Sequence, residues 1–109
     1  MRVALLTVGD ELLRGEVVDT LRAELGRALV AAGHEVVDGR TSGDDQASLV
    51  RALRDGIDVL GGDGALLVTG GLGPTDDDRT RAALAEVLGV ALERDAEAVE
   101  LLRDRKSVV

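Results

Sequence analysis

The chain has 109 residues, and its 13 Lys and Arg residues stand against 21 Asp and Glu residues, which gives a formal net charge of −8. This length corresponds to one domain, and an apolar fraction of 45% is sufficient for a buried core. The acidic balance and the absence of Phe, Trp and Tyr exclude the basic surfaces and stacking platforms that nucleic-acid binders use. We therefore predict a globular protein that does not bind nucleic acid.

Missing residue types restrict the chemistry further. Because the chain has no Cys, it has no disulfide, thiolate nucleophile or Cys-based metal site. The single histidine, His34, follows Gly33 at a connector and is predicted to be a surface turn residue without a partner, and the single lysine, Lys106, rules out a phosphate-loop lysine. No apolar run approaches the roughly 18 residues of a membrane span, and the apolar N-terminal stretch is too short for a signal peptide. These features predict a cytoplasmic protein with no membrane segment.

Apolar runs and helical stripes alternate along the chain. Residues 3–8 form a short apolar run, typical of a strand buried on both faces, and residues 65–69 form the clearest strand. A weaker strand is predicted over residues 35–41. Three helices are predicted from apolar stripes at Leu21, Leu25, Ala28, Leu29 and Ala32, at Leu49, Leu53, Ile57 and Leu60, and at Ala83, Leu84, Val87 and Leu88.

Glycines mark the ends of the predicted helices, and two more segments follow the third one. Gly33, Gly61 and Gly89 stand where C-terminal caps are expected. An extended segment is predicted over residues 90–93, and a last helix over residues 95–103. The alternation of strands and helices predicts an α/β fold with a mostly parallel sheet and helices on its faces.

Acidic residues concentrate in the three loops that leave the carboxyl ends of these strands, where ligands of such sheets bind. Seven of the 21 acids lie there: Asp10, Glu11, Asp44, Asp45, Asp76, Asp77 and Asp78. Their mutual repulsion would be relieved by a divalent cation, and oxygen ligands favour a hard ion such as magnesium. For any one of these residues, helix capping is an equally good interpretation.

A glycine-rich loop over residues 70–75 links the clearest strand to the third helix. Its main-chain N–H groups can point at an anion, with the helix N-terminus behind them. The loop is not a dinucleotide fingerprint, because Asp76 replaces the third glycine, and no Gly-Lys-Ser/Thr follows for a phosphate loop. The spacing therefore favours an anionic ligand, with a tight strand-to-helix turn as the alternative.

Residues 69–80, Thr-Gly-Gly-Leu-Gly-Pro-Thr-Asp-Asp-Asp-Arg-Thr, resemble the signature of the competence/damage-inducible CinA proteins, a branch of the MoaB/Mog molybdopterin-binding superfamily. The loop Gly-Asp-Glu-Leu-Leu-Arg-Gly at 9–15 and Ser-Gly-Asp-Asp at 42–45 are similar to the other two family motifs, in the same order. The resemblance implies a three-layer α/β/α domain that binds molybdopterin or an ADP-ribose-like nucleotide. It also implies a homodimer or homotrimer.

The resemblance also implies roles for particular residues. The expected catalytic acids are Asp44 and Asp78. The expected ligand-binding residues are Gly9, Thr69, Gly70, Gly71, Gly73, Thr75 and Thr80. Asp10, Glu11 and Asp77 are the expected ligands of a divalent metal, Mg or Co. CinA-type domains are associated with metal-dependent hydrolysis of ADP-ribose-like pyrophosphates, and the Mog branch adenylylates molybdopterin.

The chain departs from the family pattern at two places. Leu21 stands where the family has Asn after Asp19 and Thr20, so we assign Leu21 to the helix core. The preceding pair is assigned to the helix N-cap, with contact to the ligand as the lesser alternative. The chain is also shorter than the family domain, and no amidase domain is present. Residues 1–109 are therefore interpreted as part of a MoaB/Mog-like domain, from a truncated reading frame.

The sequence has three other functional interpretations. A catalytically silent pterin- or nucleotide-binding or oligomerisation module, or a molybdenum-cofactor biosynthesis protein of the MoaB/Mog type, remains an alternative. A phosphoacceptor receiver domain is disfavoured, because Thr69 stands where the acceptor Asp of such a domain should end the third strand. The chain also offers no candidate for the lysine that such a domain requires.

Overall fold

The computed structural model describes residues 1–73, 75 and 78–89, and it contains three strands and four helices in that part of the chain. The elements in chain order are β1 (Arg2–Val8), α1 (Asp10–Leu13), α2 (Thr20–Ala31), β2 (Glu35–Ser42), α3 (Gln46–Leu60), β3 (Ala65–Thr69) and α4 (Thr80–Leu88). The predicted strands and long helices are confirmed. The short helix α1 was expected to be part of a loop, and the segments predicted after residue 89 lie outside the described residues.

The strands form a parallel sheet with the order β2-β1-β3, so β1 is central. Val8 at the end of β1 lies opposite Ser42 of β2, and Thr7 lies opposite Thr69 of β3. All three strands therefore end at one edge of the sheet, and the loops that follow them meet there. This arrangement confirms the predicted α/β fold and places the acidic and glycine-rich loops side by side.

One face of the sheet carries the hydrophobic core under α3. Leu49 and Leu53 of this helix are fully buried and cluster with Leu6 and Val8 of β1. Gly56 is buried as well, and a Cβ there would lie 3.0 Å from Leu66 Cδ1. The helix therefore approaches the sheet closely at this point, and a larger residue would push it away from β3.

The opposite face is covered by α2. Its N-cap is Asp19, whose Oδ1 accepts a hydrogen bond of 3.0 Å from Arg22 N, as predicted. Arg22 also donates to Thr41 Oγ1 of β2 at 3.2 Å. No residue of α2 is buried. The prediction that Leu21 joins the helix core is therefore wrong: Leu21 is 50% exposed, because it lies beside Thr69 and Gly70 at the edge where the strands end.

Five other residues of the predicted apolar stripes are exposed, namely Ala28, Ala32, Ile57, Leu84 and Leu88. In α4 the buried contact with the core is made by Ala83, and Val87 packs one turn later. Leu84 and Leu88 follow these residues directly, so they lie about 100° further round the helix. The apolar stripe of α4 is thus wider than the part of the helix surface that packs against the described residues.

The N-terminus and His34 are neighbours at the opposite end of the sheet. The amino group of Met1 lies 3.3 Å from His34 Nδ1, and Glu35 N donates to Met1 O at 3.0 Å. His34 is half-buried in this contact. The prediction that His34 has no partner is therefore wrong, because the pairing of β1 with β2 brings Met1 next to it. No helix in the described part of the chain is long and apolar enough to cross a membrane.

Candidate functional site

Two of the strand-end loops are joined by a reciprocal pair of aspartates. Asp44 N donates to Asp10 Oδ1 at 2.9 Å, and Asp10 N donates to Asp44 Oδ2 at 3.4 Å. Beside them, Gly9 N donates to Ser42 O at 2.9 Å and continues the pairing of the two strands. The pair places the predicted catalytic Asp44 next to Asp10 and ties the second loop to α1.

Gly43 makes this junction possible. It is buried, and a Cβ at this position would lie 2.8 Å from Asp10 Oδ1. A side chain would therefore displace the carboxylate that holds Asp44 N. The sequence predicted this glycine only as a turn residue. Its second role, to leave room for the Asp10 carboxylate, depends on a residue in another loop and has no local signal.

The glycine-rich loop packs against the end of β1 and the start of α4. Gly70 and Gly71 have φ values of 96° and 66°, which favour glycine. A Cβ on Gly70 would clash with the carbonyl oxygen of Val8, and one on Gly71 would clash with Thr80 Oγ1. These two glycines are required both by their φ angles and by the close approach of the neighbouring atoms.

Thr80 holds the glycine-rich loop in this shape. Its side chain is buried, its hydroxyl donates to Gly70 O at 2.7 Å, and its main-chain N donates to Gly71 O at 3.1 Å. The described contacts of Thr80 are thus within the protein. Direct contact of this residue with a ligand stays a prediction.

Asp78 folds back onto its own loop. Thr75 Oγ1 donates to Asp78 Oδ2 at 2.5 Å, and Thr75 N donates to the same oxygen at 3.3 Å. The hydroxyl of Thr75 is the main cause that lowers the pKa of Asp78; the Gly73 and Thr75 main-chain donors and the charge of Arg81 lower it further. Asp78 is therefore a carboxylate at neutral pH, and its negative charge suits it to bind a cation.

Gly73 lies against this carboxylate, because a Cβ there would be 2.6 Å from Asp78 Oδ2. Within the described part of the family signature, Gly73 and Thr75 thus both lie against the carboxylate of Asp78. Sequence reasoning assigned these two residues to ligand binding, and the structure adds that they fix the charge state and position of Asp78.

Two clefts flank α1 at this edge of the sheet. The first has a volume of about 260 Å³ and contains Glu11, Thr69 and Gly70 of the predicted site. The second has a volume of about 350 Å³ and lies beside Leu13 and Gly43. The helix α1 therefore forms a ridge between them, with the Asp10–Asp44 pair at its base.

Glu11 and Asp19 supply the carboxylates of the first cleft. Glu11 Oε1 would lie 2.6 Å from a Cβ on Gly9, so its side chain folds over that glycine. Asp19 Oδ2 is buried without a hydrogen-bond partner and lies 3.8 Å from Arg22 Nε. The sequence predicted Asp19 mainly as a cap, with ligand contact as the lesser alternative, and its position at this cleft is compatible with both.

The described carboxylates do not form a complete metal site. Among residues 1–73, 75 and 78–89, no three His, Asp or Glu side chains are arranged to hold a metal ion. The carboxylate of Asp10 already accepts from Asp44 N and lies 4.0 Å from Arg14 Nη1. Asp77, the third predicted ligand, lies outside the described residues. Magnesium commonly takes only one or two protein carboxylates and completes its shell with waters and substrate phosphates.

Comparisons with known proteins agree with these motifs. Residues 4–109 match the family model described as "Probable molybdopterin binding domain". The CinA-like protein of Gemmatimonas aurantiaca is 42% identical over 105 residues, which are 96% of this chain and 24% of that protein. The CinA-like protein of Geobacter sulfurreducens is 47% identical over 104 residues, which are 95% of this chain and again 24% of the relative. The chain thus spans about a quarter of the length of these curated relatives.

Solved structures share the fold. CinA from Thermoplasma acidophilum, described as a protein of unknown function, is 31% identical with a TM-score of 0.88, and the alignment covers 97% of this chain and 61% of that one. The molybdopterin biosynthesis enzyme MoaB from Thermus thermophilus is 32% identical with a TM-score of 0.70, over 87% of this chain and 57% of that one. The chain therefore belongs to the molybdopterin-binding domain family, and the two curated relatives described above are CinA-like proteins.

Proposed function

We propose that this chain binds a phosphorylated pterin- or nucleotide-type ligand at the carboxyl edge of its sheet and hydrolyses a phosphoanhydride of the ADP-ribose type. The observation that carries the proposal is the glycine-rich loop, which lies beside a cleft and carries an ionised Asp78. Thr69 and Gly70 line that cleft together with Glu11. Such a site combines main-chain donors with carboxylates, which is the combination that phosphoryl chemistry uses.

Anion binding is supported by the geometry of the loop and of α4. The helix has Arg79 at its N-cap and no side-chain cap hydrogen bond. A helix N-terminus carries main-chain N–H groups and a partial positive charge, both of which attract phosphate. The glycines before it allow a ligand to approach the main chain closely.

In the proposed reaction, a water molecule attacks one phosphorus atom of the pyrophosphate. The water proton passes to a carboxylate, and the bond from that phosphorus to the bridging oxygen breaks, so the electron pair leaves with the departing phosphate. Asp78 is the proposed proton acceptor, because it is ionised at neutral pH and because Thr75 holds its carboxylate in place in the glycine-rich loop. Asp44, held by its main-chain hydrogen bond to Asp10, is proposed to orient the water.

A divalent cation, Mg or Co, belongs to this proposal as the charge that allows phosphates and carboxylates to approach each other. Glu11, Asp10 and Asp77 are its proposed ligands. Glu11 is the described member of this set that lines the cleft beside Gly70. Phosphate oxygens of the ligand would complete the coordination, in keeping with the small number of carboxylates that gather in the described residues.

The test is the hydrolysis of ADP-ribose by the purified chain in the presence of Mg²⁺ or Co²⁺, measured as AMP and ribose 5-phosphate by chromatography. We expect Asp78→Asn to reduce turnover at least about a hundredfold, in the range observed when a general base is removed. Asp58→Asn, which changes an exposed acid of α3 far along the helix, is the matched control and should keep full activity. Chelation of the metal should abolish turnover. Equal turnover in both variants would refute the role of Asp78.

A second candidate is molybdopterin binding without hydrolysis, and the likeness to MoaB favours it. Titration of the chain with molybdopterin and with ADP-ribose, followed by calorimetry, separates the candidates. Affinity for molybdopterin without turnover of ADP-ribose would support the second candidate. A homodimer or homotrimer is part of either proposal, and sedimentation velocity would measure it.

A further inference from the structure

The second cleft, on the far side of α1 from the glycine-rich loop, has no role in the reaction proposed above. Its volume is about 350 Å³, which is larger than that of the first cleft. Its wall consists of the end of β2, Leu13 of α1 and the first half of α3. The lining residues that matter are Arg40, Gly43, Ser48, Arg51, Ala52 and Asp55.

The charges in and around this cleft balance, because Arg40 and Arg51 are matched by Asp38 and Asp55. Two arginines, Arg40 and Arg51, line it together with one carboxylate, Asp55. Arg40 is held in place, because its Nε lies 2.7 Å from Asp38 Oδ2 and its Nη1 lies 3.5 Å from Asp55 Oδ2. Arg40 is thus neutralised by two acids and shapes the wall.

Arg51 differs from Arg40 in its partners. It is exposed, and no carboxylate in the described part of the chain lies within 4.0 Å of its guanidinium. Its charge acts on Asp45, but the pKa of that carboxyl is lowered mainly by hydrogen bonds from Ser48. Asp45 therefore has its own donors, and the Arg51 guanidinium keeps its hydrogen-bonding capacity for an anion that enters the cleft.

The ridge between the clefts relates this cleft to the proposed site. Leu12 lines the first cleft and Leu13 lines the second. Gly43, in the wall of the second cleft, precedes Asp44 directly in the chain. A ligand that reached from one cleft to the other would have to cross α1.

We infer that the second cleft is a binding subsite for a phosphate monoester group and that Arg51 is its anion-binding residue. The inference rests on the proposed function only for the identity of the whole ligand. ADP-ribose itself has no phosphate monoester, so the ligand that would fill this subsite is an ADP-ribose whose terminal ribose carries a further phosphate. Arginine suits this role because its planar guanidinium binds phosphate with two parallel hydrogen bonds. Such a subsite selects ligands with a phosphorylated sugar over those with a neutral one.

The probe for this subsite is ribose 5-phosphate, with inorganic phosphate as the simpler anion, titrated into ¹⁵N-labelled chain by NMR. We expect shifts in the amides of Gly43 and Ala52, which line the second cleft. Arg51→Gln should weaken ribose 5-phosphate binding there about tenfold, as expected for the loss of a charge-assisted hydrogen bond. Arg54→Gln is the matched control, because Arg54 is an exposed arginine of the same helix that does not line the cleft. Its affinity should stay within about twofold of the original chain.

The outcomes separate this inference from the proposed function. Equal affinities in the two arginine variants, or probe shifts confined to Thr69 and Gly70, would overturn the subsite and leave the hydrolysis proposal standing. Binding that depends on Arg51, together with no hydrolysis of either ADP-ribose or ADP-ribose 1″-phosphate, would support the subsite and overturn the proposed reaction. Ribose binding as strong as ribose 5-phosphate binding would also overturn the subsite, because the phosphate would then contribute nothing.

Discussion

The two faces of the sheet differ in how much they bury. Under α3, Leu49 and Leu53 are fully buried against β1, whereas α2 on the opposite face has no buried residue. The first face therefore supplies most of the packing energy. The strand ends carry the two clefts and the loops of the candidate site. Stability and binding thus rest on different residues, and substitutions can test them separately.

The largest expected effect is on the α3 face. Leu53→Ala should lower the free energy of unfolding by about 3 kcal/mol, because it leaves a cavity in the packed core. Leu21→Ala, at a half-exposed leucine of α2, should cost less than about 1 kcal/mol. Urea denaturation measures both values. Equal losses would show that α2 packs as tightly as α3, contrary to the burial described above.

Two glycines with nearly the same φ angle separate backbone strain from site packing. Gly61 has φ 63° with nothing near its missing Cβ, whereas Gly71 has φ 66° and faces Thr80 Oγ1. Gly61→Ala should cost about 1 kcal/mol from the left-handed conformation alone. Gly71→Ala should cost about 2 kcal/mol, since it also displaces Thr80.

Ligand affinity gives a second comparison between Gly71→Ala and Gly61→Ala. We expect Gly71→Ala to weaken ADP-ribose binding, because the shifted loop borders the first cleft, and we expect Gly61→Ala to leave it unchanged. Thermal unfolding gives the stability difference, and calorimetry gives the affinity. If both variants lose the same stability and keep the same affinity, the contact with Thr80 has no role in shaping the loop.

A smaller effect is expected at the junction between the first two loops. Asp10→Ala removes the acceptor of the hydrogen bond from Asp44 N and should lower the free energy of unfolding by about 1 kcal/mol. Asp10→Asn keeps an oxygen at the same place and should cost less. Urea denaturation measures the free energy of unfolding of both variants. A larger loss for Asp10→Asn than for Asp10→Ala would contradict the hydrogen-bond explanation.

The smallest change concerns the charge of Asp78. Its pKa lies below the ordinary value of 3.8, so its contribution to stability is present at neutral pH and is lost as the pH falls through the lowered value. Thr75→Val removes the hydroxyl donor and should raise the pKa of Asp78 toward 3.8. Thr75→Ser keeps the hydroxyl and should leave the pKa low. Carboxyl ¹³C shifts between about pH 2 and pH 6 measure this difference, and identical titrations in both variants would rule out the Thr75 hydroxyl as the cause.

Much of the fold follows from local patterns. The strand at residues 65–69 was predicted with its observed bounds, because a short apolar run between glycines is typical of a buried parallel strand. The caps at Asp19 and Gly89 also follow from local chemistry. Errors arose where a residue's environment depends on distant elements, as at Leu21, Leu88 and His34.

The candidate site was predictable only in part. The glycine-rich loop and its acids are identified by their motif, and the structure brings Thr69, Gly70 and Glu11 to one cleft. The second cleft was not predicted, because Arg40 and Arg51 belong to a strand and a helix and form no motif in the chain. Their proximity depends on how α3 packs beside the edge strand β2.

The sequence by itself determined the order of strands and helices, the loops that carry acids and the glycines that end helices. These features depend on side-chain periodicity and backbone preferences within a few residues. Only the tertiary structure decided that Asp10 and Asp44, 34 residues apart, hold each other's main chain. That contact depends on the register of β1 against β2, which shifts between Val3 and Ala4. Register is a property of paired strands, and no single segment of the chain encodes it.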